Sequence, residues 1–179
     1  MSALVHNLLD MARIESGEVR LNLQWQPLEE VIGSAIRAAH AALDGRRVEV
    51  RIPPDLPWTR FDAVLIERVL VNLLENAGKY TPPGSAVRIS AGADSSRLRV
   101  CVEDEGPGFT PGSEDAMFEK FTRGDRESAK PGVGLGLAIC RAIVRAHQGE
   151  IAVQSGRARG AAVCFWLPSS APPPELDDD

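Results

Sequence analysis

The chain has 179 residues, 44% of them hydrophobic and 25% charged, which is the size and make-up of one globular domain with short flanks. Its net charge of −5 comes mostly from Glu175, Asp177, Asp178 and Asp179 at the end, so the body is close to neutral and lacks the basic footprint of a nucleic-acid binder or a polybasic membrane surface. No apolar run is long enough to cross a bilayer, and "MSALVHNLLD" lacks the cationic head and long apolar stretch of a signal peptide, so a soluble chain is expected.

In chain order, residues 3 to 16 read as a helix, with Leu4, Leu8 and Met11 forming a seam and Gly17 as its stop. Too short to be stable alone, it looks like the severed end of a longer helix. Val19, Leu21, Leu23 and Trp25 alternate as a half-buried strand. Pro27 opens a helix to about Leu43, with Val31, Ala35, Ala38 and Ala42 inward. "RRVEVRI" at 46 to 52 alternates again, and Pro53, Pro54 and Pro57 end it. Asp62 suits the N-cap of a helix over roughly 63 to 79, lined by Ile66, Val69, Leu73 and Ala77. Strands near 86 to 91 and 97 to 103, joined at "ADSS", suit a hairpin.

Residues 105 to 131 hold four glycines and three prolines, and a loop of that length inside a compact domain is usually functional. A helix from about Gly134 to His147 follows, with Gly149 as its C-terminal stop. Two strands fit 150 to 154 and 161 to 167, and the Pro-rich acidic end from 169 reads as disordered. The expected fold is α+β: a two-layer sandwich with a mixed sheet of about five strands and helices on one face. Cys101, Cys140 and Cys164 lie far apart among apolar neighbours and are expected to be buried and reduced, which points to a cytosolic compartment. There is no zinc spacing, and His6, His40 and His147 are scattered.

Four stretches carry chemistry. On the helix "ERVLVNLLENAGKYT", Asn72, Asn76 and Lys79 share one face, opposite the apolar side. Asparagine is a poor helix former, so two at mid-helix need a reason beyond a solvated face. Their amide oxygens suit Mg²⁺, and Lys79 offers a point charge to phosphate. In "VEDEGPGF" a strand ends at Asp104, whose carboxylate could accept from an exocyclic amino group, and Gly106 and Gly108 let the backbone turn sharply; taken alone it reads more readily as a simple acidic turn. In "PGVGLGLAICRAIV" Gly132, Gly134 and Gly136 lead into a helix whose N-terminus could hold phosphate. It is neither a Walker A loop nor a dinucleotide fingerprint, and a plain flexible loop is the competing reading. In "MFEKFTRGDRES" Phe118 and Phe121 could anchor a lid from which Arg123 reaches a γ-phosphate, whereas Arg126 and Glu127 read as solvated.

The order Asn-x₃-Asn-x₂-Lys-Tyr, Asp-x-Gly-x-Gly, Phe-x-x-Phe and Gly-x-Gly-x-Gly resembles the asparagine, first glycine, phenylalanine and second glycine boxes of sensor histidine kinases. "LVHNLLDMARIESG", "ERVLVNLLENAGKY" and "ESAKPGVGLGLAICRAIV" are similar to the Kdp-type, potassium-responsive branch of that family. The resemblance implies a Bergerat-type ATP fold over 18 to 168 with a lid at 105 to 131, preceded by the end of a second dimerisation helix at 1 to 17. It implies ATP and Mg²⁺ as cofactors. By position, Asp104 would bind adenine, Asn72 and Asn76 would engage Mg²⁺ and phosphates, Lys79 the phosphates, and Arg123 the γ-phosphate. Tyr80 and Phe121 would flank the nucleotide, while Gly106, Gly108, Gly132, Gly134, Leu135 and Gly136 would shape the pocket.

The implied partners are the protein's own phosphoacceptor and dimerisation domain, a response regulator, and a second copy in a homodimeric, inner-membrane parent whose catalytic part is cytoplasmic. His6 is followed by Asn7 and lacks the acidic residue and proline of the family's acceptor motif. The chain is therefore expected to bind ATP without phosphorylating itself. Two other readings remain: an ATPase of the gyrase or Hsp90 type, which would need a glutamate where Asn72 stands, and a nucleotide-gated interaction module with a moving lid.

Overall fold

The fold is described from a computed structural model, which covers residues 3–119, 134–155 and 160–169. The elements are α1 (Ala3–Glu15), β1 (Gln24–Gln26), α2 (Leu28–Ala38), β2 (Arg47–Arg51), β3 (Thr59–Phe61), α3 (Ala63–Tyr80), β4 (Ala86–Ala93), β5 (Arg97–Asp104), α4 (Gly136–Ala146), β6 (Glu150–Ser155) and β7 (Ala161–Pro168), with a short 3-10 turn at Ala116–Phe118. Five strands form one mixed sheet in the order β2-β4-β5-β7-β6. Only β2 and β4 pair in parallel, and the chain crosses between them through β3 and α3. β1 and β3 form a separate antiparallel pair.

Strand alternation decides where the core lies. Ile89, Leu98, Val100, Phe165 and Leu167 point to one face and are buried there by α3 and α4. The amphipathic helices complete that layer with Ile66, Val69, Leu70, Leu73 and Leu74 from α3 and Ile139, Ile143 and Val144 from α4. α2 packs on α3, and α1 lies against α4 through Met11 and Ile14. The opposite sheet face is polar. There Glu49 of β2 accepts from Arg88 of β4 at 3.2 Å, and Arg88 also reaches Glu103 of β5 at 3.3 Å.

The expected two-layer α+β sandwich is therefore observed, and four local expectations change. Residues 19 to 23 are not strand; only Gln24–Gln26 pair, because their partner β3 is three residues long. β3 itself was too short to show a period. α2 ends at Ala38 instead of continuing to Leu43, and residues 39–45 make successive turns ending at Gly45, whose φ is 72°. Ala42 within these turns lies against Gly78 of α3, where a Cβ would overlap the Ala42 carbonyl. Finally, Cys101 and Cys164 are not separate thiols but are bonded to each other. The register makes them direct antiparallel partners on β5 and β7 with Cα atoms 4.1 Å apart, a closeness that their separation of 63 residues conceals. Cys140 is the free, buried cysteine. Among the described residues no helix is long and apolar enough to cross a membrane.

Candidate functional site

The site is built on the C-terminal half of α3. The helix is started by Asp62, whose carboxylate accepts the Leu65 N–H at 3.1 Å and also the Asn22 N–H at 2.9 Å. The buried stripe then fixes the rotation of the helix. Asn72, Asn76, Lys79 and Tyr80 fall on its half-exposed side. Asn72 is turned toward α4, where the Cys140 thiol lies beside it and within 3.7 Å of the Val69 carbonyl. Burial pushes that thiol up to about 12, so it is an uncharged neighbour. Among the described residues the Asn72 Nδ2 is buried with no acceptor. A buried amide nitrogen left without a partner costs free energy, and a ligand oxygen or water within reach would relieve it.

One turn further on, Asn76 faces the start of α4. A Cβ on Gly136 would stand 3.8 Å from Asn76 Nδ2 and 4.0 Å from its Oδ1, so glycine leaves the space in front of the amide clear. Gly134 has φ 72°, a conformation that glycine takes freely, and Leu135 is buried between the two glycines. Leu135, the N-cap residue of α4, makes no side-chain cap hydrogen bond, and a helix N-terminus directs its first N–H groups outward as donors.

At the end of α3, Tyr80 meets the end of β5. A Cβ on Gly106 would come within 2.9 Å of the Tyr80 carbonyl and 2.8 Å of Asp104 Oδ1. Asp104 accepts the Gly106 N–H at 2.8 Å and the Ala161 N–H at 3.5 Å. Burial raises its carboxyl above the usual range, and those two N–H groups oppose the shift. Gly108, φ 76°, turns the chain away after it. Lys79 lies over the Tyr80 ring, 4.9 Å from its centre. The structure thus brings Asn76 and Gly136 together at one point of α3, and Tyr80, Asp104 and Gly106 together one turn later, about 6 Å along the axis.

Gly160 was not singled out from the sequence. A side chain there would overlap the Asp104 carbonyl, so β7 can begin beside Asp104 only if residue 160 is glycine. Nothing in "GRARGAAV" signals this, because the need arises from a strand distant in sequence. Phe118 is buried and stacks under Arg141 of α4 at 5.6 Å, while Glu119 bonds Arg141 at 3.6 Å, so the described end of the 105 to 131 segment is tied to α4. Phe121, Arg123 and Gly132 lie outside the described residues. So does most of the tail from 169. An open groove of about 680 Å³ between α1 and α4, lined by Met11, Ile14, Ala138 and Arg141, includes none of Asn72, Asn76, Tyr80 and Asp104. Among the described residues no group of three or more His, Cys, Asp or Glu could hold a metal ion, so any cation here would depend on amide and ligand oxygens.

Residues 61–171 match the family model described as "Histidine kinase-, DNA gyrase B-, and HSP90-like ATPase". The chain belongs to this family. It is 46% identical to the sensor protein KdpD of Escherichia coli (strain K12) over 98% of its own length and 19% of that protein's. It is 34% identical to the adaptive-response sensory kinase SasA of Synechococcus sp. (strain JA-2-3B'a(2-13)) over 94% of its length and 45% of that protein's. Among solved structures, full-length ShkA in complex with AMPPNP superposes with a TM-score of 0.81 at 29% identity, covering 96% of this chain and 36% of that one. The mycobacterial sensor histidine kinase MprB gives 0.74 at 27% identity, covering 83% of this chain and all of that one. The chain is thus an ATP-binding catalytic domain of the histidine-kinase type, and it spans about a fifth of KdpD and under half of SasA.

Proposed function

We propose that this domain transfers the γ-phosphoryl group of ATP to a histidine on a separate dimerisation domain, which passes it to a response regulator. The observation that carries this reading is the meeting of three elements along one turn of α3: Asp104 and Gly106 at Tyr80, and the start of α4 at Asn76. The half-buried Asp104 carboxylate suits the adenine amino group, a donor that offsets the cost of its burial. The α4 N-terminus and Lys79 suit the phosphates, and Tyr80 flanks the nucleotide. Phe121, Arg123 and Gly132 are assigned to the lid, with Arg123 directed to the γ-phosphate. Gly108, Gly134 and Leu135 complete the walls around Gly106 and Gly136.

Mg²⁺ fits the donors present. The Asn72 and Asn76 amide oxygens, one turn apart on the half-exposed side of α3, are hard neutral ligands that suit it. Bound there with the phosphates, the ion would neutralise charge developing on the transferred group. The protein's own part is to orient: Asp104 fixes the base, α4 fixes the phosphates, and the glycines allow the backbone to approach. The domain boundaries proposed are a dimerisation-helix end at 1–17 and the ATP-binding unit at 18–168. The likeness to KdpD supports a potassium or osmotic signal and a homodimeric, membrane-anchored parent.

His6 is exposed on α1 and followed by Asn7, whose side chain is engaged by Arg68. Radiolabelled γ-phosphate is therefore expected to stay off the chain alone and to appear on an acceptor domain supplied in trans. Stable label at His6, or an acceptor that stays unlabelled while ATP binds, would refute the transfer. The second of those results would favour the nucleotide-gated module, and rapid release of free phosphate would favour the ATPase.

A further inference from the structure

The outer face of the sheet carries chemistry that nucleotide binding does not use. Cys101 and Cys164 are bonded there across β5 and β7. Beside them is an open depression of about 400 Å³ whose lining includes Cys101, Ser90, Gly92, Arg97, Arg99 and Trp166. The register explains its shape. Ser90 of β4 is the direct partner of Cys101 on the side away from Cys164, and Gly92 is the partner of Arg99. Both are small, and a Cβ on Gly92 would meet nothing within 4 Å. The sulfur of Cys101 is therefore walled by its neighbours but not roofed by a bulky β4 side chain.

The cations are placed unevenly. The Arg99 guanidinium stands over the Trp166 ring, 5.8 Å from its centre, and its Nη2 lies 3.4 Å from Cys164 Sγ. Arg97 reaches Glu150 at 3.6 Å, and Asp94, also in the lining, is held by the N–H groups of Ser96 and Arg97. Attack on a disulfide runs along the S–S axis, from the side opposite the leaving sulfur. Here the approach to Cys101 comes from the open Ser90 side, and the sulfur that must leave, Cys164, is the one beside the guanidinium. A thiolate next to a cation is a better leaving group.

We propose that the Cys101–Cys164 bond is an exchangeable redox tie, opened by a small anionic thiol entering this depression, and that opening it weakens the nucleotide site through Asp104. The small thiolate bonds to Cys101 Sγ, the S–S bond breaks, and its electron pair leaves on Cys164. A second small thiolate then attacks the first one's sulfur in the mixed disulfide and displaces Cys101. Two small thiols are oxidised to a disulfide, the protein disulfide is reduced to two thiols, and the two protons given up end on the two cysteines. Both cysteine residues are almost fully covered, at 1% and 0% exposure, so entry needs a local opening on the Ser90 side of Cys101 while Arg99 stays beside Cys164 Sγ.

The link to the cleft lies in the ladder. Cys101 is three residues before Asp104, Cys164 is three after Ala161, and Asp104 pairs with Ala161. The tie therefore clamps the two strands whose ends hold the carboxylate in place, with Gly160 packed against it. This coupling rests on the adenine role given to Asp104 above; the exchange itself does not.

The test uses glutathione and glutathione disulfide as the probes on the native chain. Thiol titration after denaturation is expected to find one thiol, Cys140, without reductant and three after glutathione treatment. Arg99→Gln should slow opening about tenfold. Affinity for a non-hydrolysable ATP analogue should fall about threefold to tenfold on opening. The double variant Cys101→Ala, Cys164→Ala should show the weaker value under both conditions. Three thiols that glutathione disulfide cannot pair, or a bond that glutathione cannot open in the native protein, overturns the exchange. Equal affinity in the two thiol states overturns the coupling. Failure to bind the analogue in either state overturns the nucleotide reading on which the coupling rests, and the thiol count still decides the exchange.

Discussion

At Asp104 stability and the proposed adenine contact pull in opposite directions. Its carboxyl is raised by burial, and the Gly106 and Ala161 N–H groups only partly offset that cost. A raised carboxyl favours folding below its unfolded value, and that contribution is lost as pH climbs through the folded value. Once ionised, the carboxyl places a charge where burial disfavours it. Asp104→Asn keeps an oxygen for both N–H groups and removes the charge. Its thermal midpoint should equal or exceed that of the parent chain. ATP affinity should fall about 10- to 100-fold, the range expected on losing a hydrogen bond to a charged group worth about 1.5–3 kcal/mol. Calorimetric titration beside a melting scan checks both, and a destabilised variant would contradict the account of burial.

The candidate side chains stand out in the sequence because polar residues at helical spacing, or glycines in quick succession, break the local pattern. Asn72, Asn76 and Lys79 did so on one helix. Gly160 and the Cys101–Cys164 pair did not, because what makes them special is the register of β5 against β7, which no local pattern records. The backbone position of Gly106 against Tyr80 was hidden for the same reason.

Among the elements, α3 and α4 converge at the cleft and are fastened again at their far ends. His147, just past α4, is buried; its Nδ1 donates to the Ile143 carbonyl at 2.8 Å and its Nε2 accepts the Asp62 N–H at 3.1 Å. Burial pushes the imidazole below its usual value, although the Ile143 carbonyl and the Asp62 charge act the other way. A proton on Nε2 would face an N–H donor. The folded state thus prefers the neutral ring. Its contribution is complete above the unfolded value near 6.5 and is lost as pH falls below it, because the unfolded chain then binds the proton more readily. Urea unfolding at about pH 7.5 and about pH 5.5 should show a drop in stability that is smaller in His147→Gln, which has no proton to gain in that range. An equal drop would remove His147 from the explanation.

Gly78 gives a second prediction at this scale. The turns after α2 rest on it through Ala42, so Gly78→Ala, which would help an isolated helix, should instead destabilise the domain by about 1–3 kcal/mol in the same assay. α3 was read from sequence to within a residue of its ends, because its apolar stripe and Asp62 cap agree. The end of α2 and the β1–β3 pair were misjudged, because contacts with other segments set them, not their own periodicity.

At the level of the whole molecule, α1 packs against α4 at the edge of the helical layer. Met11 and Ile14 are its buried anchors, while Val5 and Leu9 are exposed on it. Arg68 of α3 gives it a polar attachment. Arg68 donates to Asp10 at 2.8 Å and to Asn7 at 2.7 Å, from a position one turn before Asn72. Both members of the ion pair are partly exposed, so solvent screens it, and the pair should add about 1 kcal/mol or less to global stability. Its effect on α1 alone is proportionally greater, since a short helix with two anchors opens separately from the core.

Arg68→Ala should therefore leave the main unfolding transition nearly unchanged and raise amide hydrogen exchange in residues 5–15 by up to about fivefold, the equivalent of that 1 kcal/mol. If exchange in α1 does not change, the apolar contact with α4 holds the helix unaided. If the main transition drops with it, α1 is part of the cooperative unit. The expected split, a local loosening without global loss, is what would let the catalytic domain move on a helix it only partly grips while keeping the Asn72–Asn76 face of α3 intact.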